Sequence, residues 1–169
     1  MIVLGIDTAI RKTGYGVIEV ESANRIRILD CGVIVNAASL PHSGCLRRLS
    51  GGIRELVQAF HPDAASIESA FVSRNIRTAM ILSLARGAVI AALAEHNISV
   101  YEYSPKTAKR AATGSGDASK EQVANLLGAM CALDASKIPN DSTDALALAL
   151  CHGTIAVRQT LASLLQKPI

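Results

Sequence analysis

Tryptophan is absent from the sequence and aromatics of any kind are scarce, two Phe and three Tyr among 169 residues. The core must therefore be assembled from aliphatic side chains, and half of the residues are apolar. That composition suits helices packed on a largely parallel sheet. Cysteine is sparse as well. Cys31, Cys45, Cys131 and Cys151 form no C-x-x-C pair, which argues against a zinc ribbon or a redox motif and leaves reduced, buried thiols as the expectation. No signal-peptide pattern precedes the strand-like run that begins at Ile2, so a cytoplasmic location is expected. A long unbroken apolar run is also missing. The nearest candidate, Ala79 to Ala94, contains Ser83, Arg86 and Gly87 and is shorter than the roughly 20 residues a membrane span requires. It reads as a buried helix, and no membrane partner is expected. Nor is there an excess of one charge: the net charge of +3 is too small to argue for nucleic acid by itself.

What is present fits one domain over residues 1–169, long enough to bury roughly 70% of the surface its unfolded chain exposes. Ile2 to Asp7 is a short branched run ending in a charge, the pattern of a central strand that delivers a carboxylate to its tip. Tyr15 to Val20 and Ile26 to Val35 follow with short polar links, which predicts an antiparallel meander. From Ser43 to Phe60 the apolar residues Leu46, Leu49, Ile53, Leu56, Val57 and Phe60 recur at helical steps, so this is an amphipathic helix stopped by Pro62-Asp63. Ala64 to Glu68 is a second strand with a terminal acid. A long helix from about Asn75 to His96, a short strand from Ile98 to Tyr101, a basic segment from Pro105 to Ala112, a turn at Gly114-Ser115-Gly116, and helices from Ser119 to Cys131 and from Asp141 onward complete the reading. Strands alternating with helices after a meander predict an α/β fold with a mixed sheet and helices on both faces.

The chemistry lies in four acids. Asp7 and Glu68 end runs that are otherwise apolar, where an unpaired charge turned inward is costly, although either alone equally well opens a turn. Asp141 and Asp144 are three residues apart on one helix, on the face that also carries Ala145 and Leu148. Like charges so placed repel, and a divalent cation removes that cost; an N-cap followed by a first-turn acid is the plainer alternative. Carboxylates drawn from several elements are what two-metal phosphodiester hydrolysis requires. Hard oxygen ligands favour Mg²⁺ or Mn²⁺ over zinc. Two basic segments flank these acids: Arg74, Arg77 and Arg86 with no acid between Phe71 and Arg86, and Lys106, Lys109, Arg110 and Lys120 against Asp117 alone. Cations that hold a strand beside metals that cut it form the pairing a phosphate backbone needs.

With these residues in view, the chain resembles the RuvC family of Holliday junction resolvases over nearly its whole length. The resemblance is carried by Met1 to Asp7, Thr13 to Ile18, Ile67 to Phe71, Leu84 to Gly87 and Asp141 to Ala147. It implies an RNase H-like fold with a five-stranded sheet. It further implies a homodimer that nicks two opposed strands of four-way junction DNA symmetrically, in recombination and repair. By resemblance Asp7, Glu68, Asp141 and Asp144 bind the catalytic metals, two Mg²⁺ per site with Mn²⁺ able to substitute. Lys109 and Lys120, with Gly114 and Gly116 between them, would approach the scissile phosphate, and Phe71 would stack on an unpaired base at the junction centre. A branch-migration motor complex is a partner of the family. Thr8-Ala9-Ile10 stands where the family usually has Pro-Gly-Ser or Pro-Gly-Thr, and Ser69-Ala70 where larger residues are common. His152, beyond the D-x-x-D on roughly the same face, reads as either a packed histidine or a support for the acids. Other branched or hybrid substrates, and a junction-binding protein without cleavage, remain alternatives. An actin-like phosphotransferase is disfavoured because Thr8 to Lys12 contains no glycine to admit a phosphate.

Overall fold

The computed structural model describes residues 1–22, 25–69, 75–130, 138–157 and 167–169. Three strands come first, β1 (Ile2–Asp7), β2 (Lys12–Ser22) and β3 (Arg25–Val35), followed by α1 (His42–Phe60), β4 (Ala64–Glu68), α2 (Ile76–Ala94) and β5 (Ser99–Tyr103). Helices α3 (Pro105–Thr113), α4 (Lys120–Met130) and α5 (Asn140–Val157) follow. The five strands form one mixed sheet in the order β3-β2-β1-β4-β5. The β1, β2 and β3 meander is antiparallel, and β4 and β5 run parallel to β1. β1 is the central strand, as its apolar run predicts.

Local chemistry sets the boundaries. α1 ends because His61 takes the left-handed conformation, with its N–H returning to the Val57 carbonyl at 2.9 Å, and Pro62 cannot continue a helix. Asn75 caps α2 by accepting from the Thr78 N–H, and Ser104 caps α3 with Pro105 at its first position; both are favourable starts. β2 and β5 extend further than their apolar runs suggest. Lys12 to Gly14 pairs with β3, and Glu102 and Tyr103 pair with the end of β4; a polar residue is no obstacle where the ladder continues on both sides.

Alternation along the strands divides the core into two layers, since successive side chains point to opposite faces. Leu4, Ile6, Val17, Ala65, Ile67 and Val100 pack with α1 and α2. Val3, Ile18, Val20 and Tyr103 pack with α3, α4 and α5. Asp7 shares the parity of Val3, and Glu68 the opposite parity to Ala65 and Ile67, so both acids belong to the α5 face.

Two expectations need correction. The run Ala79 to Ala94 is helical but not buried all round: Ala85, Val89, Ala92 and Leu93 face inward, whereas Ile76, Met80 and Leu84 are 76%, 64% and 51% exposed. By length and composition α2 would suffice to cross a membrane. One face of α2 nevertheless joins the aliphatic layer shared with α1. Cys45 and Cys151 are buried as expected, but Cys31 on β3 is half-buried, and all three thiols are free. Cys131 lies outside the described residues.

Candidate active site

The acids are assembled by a close approach of α5 to the sheet. A Cβ built on Gly5 would stand 1.9 Å from the Ala145 carbonyl oxygen, and one on Gly14 would stand 1.8 Å from that of Asp141. Only glycine permits such contact. Gly14 is the register partner of Asp7, so the first turn of α5 is seated beside the tip of β1. β1 and β4 run side by side with Ile6 opposite Ile67, which sets Asp7 and Glu68 at the same end of neighbouring parallel strands, on the face α5 covers. Asp144, one turn into α5, reaches the β4 side: Glu68, Asp144 and Lys109 line one cleft of about 220 Å³ floored by Ala108, Ala147 and Leu148. Asp7, Glu68, Asp141 and Asp144 are all half-buried.

The donor set is carboxylate oxygen alone, the chemistry of a hard divalent cation, and a side-chain cation stands beside one of these acids. Lys12 Nζ lies 3.6 Å from Asp141 Oδ2. Among the described residues no three His, Cys, Asp or Glu side chains converge closely enough to hold a metal ion. The scaffold thus brings the tips of β1 and β4 and the first turns of α5, which carry the four acids, to one edge of the sheet. The donors fit a hard divalent cation in kind, and the elements that carry them meet at one edge of the sheet.

The loop between β1 and β2 is well tied. The Thr13 hydroxyl donates to the Ala9 carbonyl at 2.5 Å and accepts from the Ala9 N–H at 3.2 Å. Ile10 is buried in the α1 and α2 layer, its carbonyl accepting from Asn36 Nδ2 at 2.8 Å. Arg11 anchors the far side to the carbonyls of Ala37 and Leu40 at 2.6 and 2.9 Å.

The remaining predicted residues fall in several places. Lys109 is half-buried in the cleft, whereas Arg77 on α2 and Arg110 on α3 are exposed. Lys106 is exposed and pairs with Asp117 at 3.7 Å, a surface contact of little energetic weight. Lys120 opens α4. Gly114 ends α3 in the left-handed conformation, its N–H bonding the Arg110 carbonyl. Phe71 and Arg74 lie outside the described residues. His152 is a packed residue, 2% exposed. Its Nδ1 lies 2.9 Å from the Tyr103 hydroxyl and its ring stacks on Tyr101 at 4.2 Å. Burial pushes its pKa down to about 4. It ties α5 to β5 and does not reach the acids' cleft.

Two participants escaped the sequence reading. Lys12 looked like part of a polar turn, and nothing local shows that it meets Asp141. Arg86 was legible only as one more cation on a basic stretch, yet its guanidinium bonds the Glu68 carbonyl at 2.5 Å.

Comparison with known proteins adds an independent line. Residues 3–152 match the family model described as crossover junction endodeoxyribonuclease RuvC. The chain is similar to the protein of that name from Chlorobaculum parvum, 45% identical over 89% of this chain and 80% of the relative. It is also similar to that from Ruminiclostridium cellulolyticum, 40% identical over 90% and 92%. Among solved structures, the Thermus thermophilus RuvC bound to a Holliday junction substrate superimposes with a TM-score of 0.89 at 32% identity, covering 100% of this chain and 99% of that one.

Proposed function

The chain belongs to the RuvC family of crossover junction endodeoxyribonucleases, and from that premise we propose how its own residues divide the work of cutting a four-way junction. It is an endonuclease that resolves Holliday junctions. The observation that carries the assignment of roles is the seating of α5 on Gly5 and Gly14, which brings a D-x-x-D pair over the acid-tipped ends of β1 and β4.

In this reading one nuclease domain over residues 1–169 carries the activity, and Asp7, Glu68, Asp141 and Asp144 hold the divalent metal on which the family depends. Mg²⁺ is the ion, two per site, with Mn²⁺ able to replace it. When bound, such ions activate water and stabilise the leaving oxygen of the scissile phosphate. The chain supplies the rest. Asp7 and Glu68 hold a spacing set by the strand ladder between β1 and β4. Lys12 partly neutralises Asp141 and is released when a stronger cation competes for that carboxylate. Lys109, across the cleft from Glu68 and Asp144, offers a charge to the phosphate, and Lys106, Arg110 and Lys120 extend the basic track along α3 and α4. Arg77 on α2 adds a further cation for the junction DNA, and Arg74 and the aromatic Phe71 keep the DNA-contacting roles that the family resemblance implies.

The protein works as a homodimer, because two opposed strands must be cut in concert. The exposed apolar face of α2, Ile76, Met80 and Leu84, is the surface suited to meet a second copy. A cytoplasmic location, where its DNA substrate lies, and a branch-migration motor as partner complete the proposal.

The decisive experiment offers purified protein a synthetic four-way junction with and without Mg²⁺ and maps the nicked strands. Asp7→Asn should abolish cleavage and leave junction affinity within a few-fold of wild type, since it removes a metal ligand and no phosphate contact. Undiminished nicking by that variant would show that the metal site lies elsewhere.

A further inference from the structure

Arg86 sits on the sheet-facing side of α2 with its side chain only 13% exposed, beside the buried Ala85 and Val89. A guanidinium is expensive to bury unless its donors are satisfied. Here both terminal nitrogens are engaged: Nη1 donates to the main-chain carbonyl of Glu68 at 2.5 Å, and Nη2 bonds the carboxylate of Glu102. Burial pulls the pKa of Arg86 down and the charge of Glu68 pulls it up.

The position of these two acceptors gives the pair its meaning. Glu68 is the last residue of β4, and its register partner is Tyr103, the last of β5; Glu102 is opposite Ile67. Strand alternation points the Glu102 side chain to the α2 face and the Glu68 side chain to the α5 face, where Asp144 waits. One rigid fork therefore grips the C-terminal ends of two parallel strands from behind the sheet. Just past Glu68 the Ser69 N–H still donates to the Tyr103 carbonyl, at 2.9 Å. At a strand end the backbone dihedrals are held weakly, and a carboxylate there swings with them. A bond to its own carbonyl restrains that swing.

We propose that Arg86 is a positioning residue for cleavage: by holding the main chain of Glu68, with Glu102 as its counter-anchor, it aims the Glu68 carboxylate into the site on the opposite face. This rests on the reading of Glu68 as a metal ligand. Groups that orient a ligand typically change metal affinity or activity 10- to 100-fold when removed. Lysine cannot replace the fork, because an ammonium on a flexible stem does not hold two acceptors in a fixed plane.

The test compares Arg86→Lys, Glu102→Gln and Glu68→Gln with wild type by four readouts: thermal unfolding, junction binding without divalent metal, single-turnover cleavage, and binding of Mn²⁺ alone followed by electron paramagnetic resonance. Arg86→Lys should keep junction affinity within about threefold, weaken Mn²⁺ binding roughly tenfold and slow cleavage at least tenfold, with part of the rate restored by excess Mn²⁺. Glu102→Gln, which keeps the shape of the side chain, should move the same two readouts in the same direction by less. In a Glu68→Gln background Arg86→Lys should add no further loss of Mn²⁺ affinity, as expected of two groups acting through one another. Wild-type Mn²⁺ affinity and cleavage rate in both Arg86→Lys and Glu102→Gln would overturn the proposal. So would slower cleavage that follows a fall in melting temperature while Mn²⁺ affinity is unchanged. If Glu68→Gln itself cleaves normally, the ligand assignment fails first; if it is inactive while Arg86→Lys is normal, only the positioning role fails.

Discussion

On one face of the sheet α5 lies so close to β1 and β2 that there is no room for a methyl group at Gly5 or Gly14; on the other, α2 turns Ile76, Met80 and Leu84 into solvent. Both helices are apolar, and both stand beside an acid-tipped strand. Helix α5 is buried along Ala145 to Gly153 without a break, whereas α2 buries a single stripe. The difference follows from what each must do. If the acids of α5 share a metal with the two strand ends, as proposed, they have to be placed to a fraction of an ångström, and direct backbone packing is the stiffest support available. The α2 face proposed to meet a second copy has to stay uncovered in the single chain. Arg86 joins the two regimes, since it leaves the helix with the open face and ends on the carbonyl of a site residue.

The comparison breaks first at Gly14. Gly14→Ala forces a Cβ into the Asp141 carbonyl, so α5 must lift; we expect about 3 kcal/mol or more of destabilisation and loss of junction cleavage, checked by urea unfolding and by nicking assays. Gly51 on α1 is the control, because nothing lies within 4 Å of a Cβ built there. If the two alanine variants unfold alike, the tight seating of α5 is wrong.

Next comes the open face. Met80→Glu combined with Leu84→Glu should turn the proposed dimer into a folded monomer, since burying each parent side chain is worth roughly 1.5–3 kcal/mol. Sedimentation velocity measures the change, and melting temperature should hardly move. A double variant that sediments like wild type would place the second copy on another surface.

His152 sharpens the contrast through pH. Burial holds its folded pKa at about 4, below the ordinary 6.5, so the unfolded chain takes up a proton first as pH falls. Its contribution is fully present above about pH 6.5 and is lost progressively between there and about 4. Wild-type stability should decline across that window by a few kcal/mol at most, some 1.4 kcal/mol for each unit between the folded and unfolded values. His152→Gln should flatten the slope. An unchanged slope in that variant would assign the decline to carboxylates instead.

The smallest effect is a gain. Gly51→Ala removes chain entropy from the unfolded state inside a helix with open space around it, and should stabilise by roughly 0.5–1 kcal/mol, read from the same urea curves.

Much of this protein was legible before any coordinates. Ile2 to Asp7 and Ala64 to Glu68 declared themselves as acid-tipped strands, and the helical steps from Leu46 to Phe60 marked α1 within a residue of its start. The D-x-x-D at Asp141 and Asp144 pointed to metal chemistry. These are local signals: period, propensity and the cost of a charge in an apolar run act within a few residues, so a linear chain displays them. The burial of α2 was misjudged for a related reason. Composition reports that a helix is apolar but not which neighbours cover it.

Sequence alone determined the order of the elements and put the four acids forward as candidates. Only the folded chain decided that α5 is seated on Gly5 and Gly14, that Lys12 answers Asp141 and that Arg86 reaches through to the carbonyl of Glu68. It also decided that His152 is sealed between two tyrosines. Each of these joins residues far apart in the chain, and such distances are set by how whole elements pack, which no local pattern encodes.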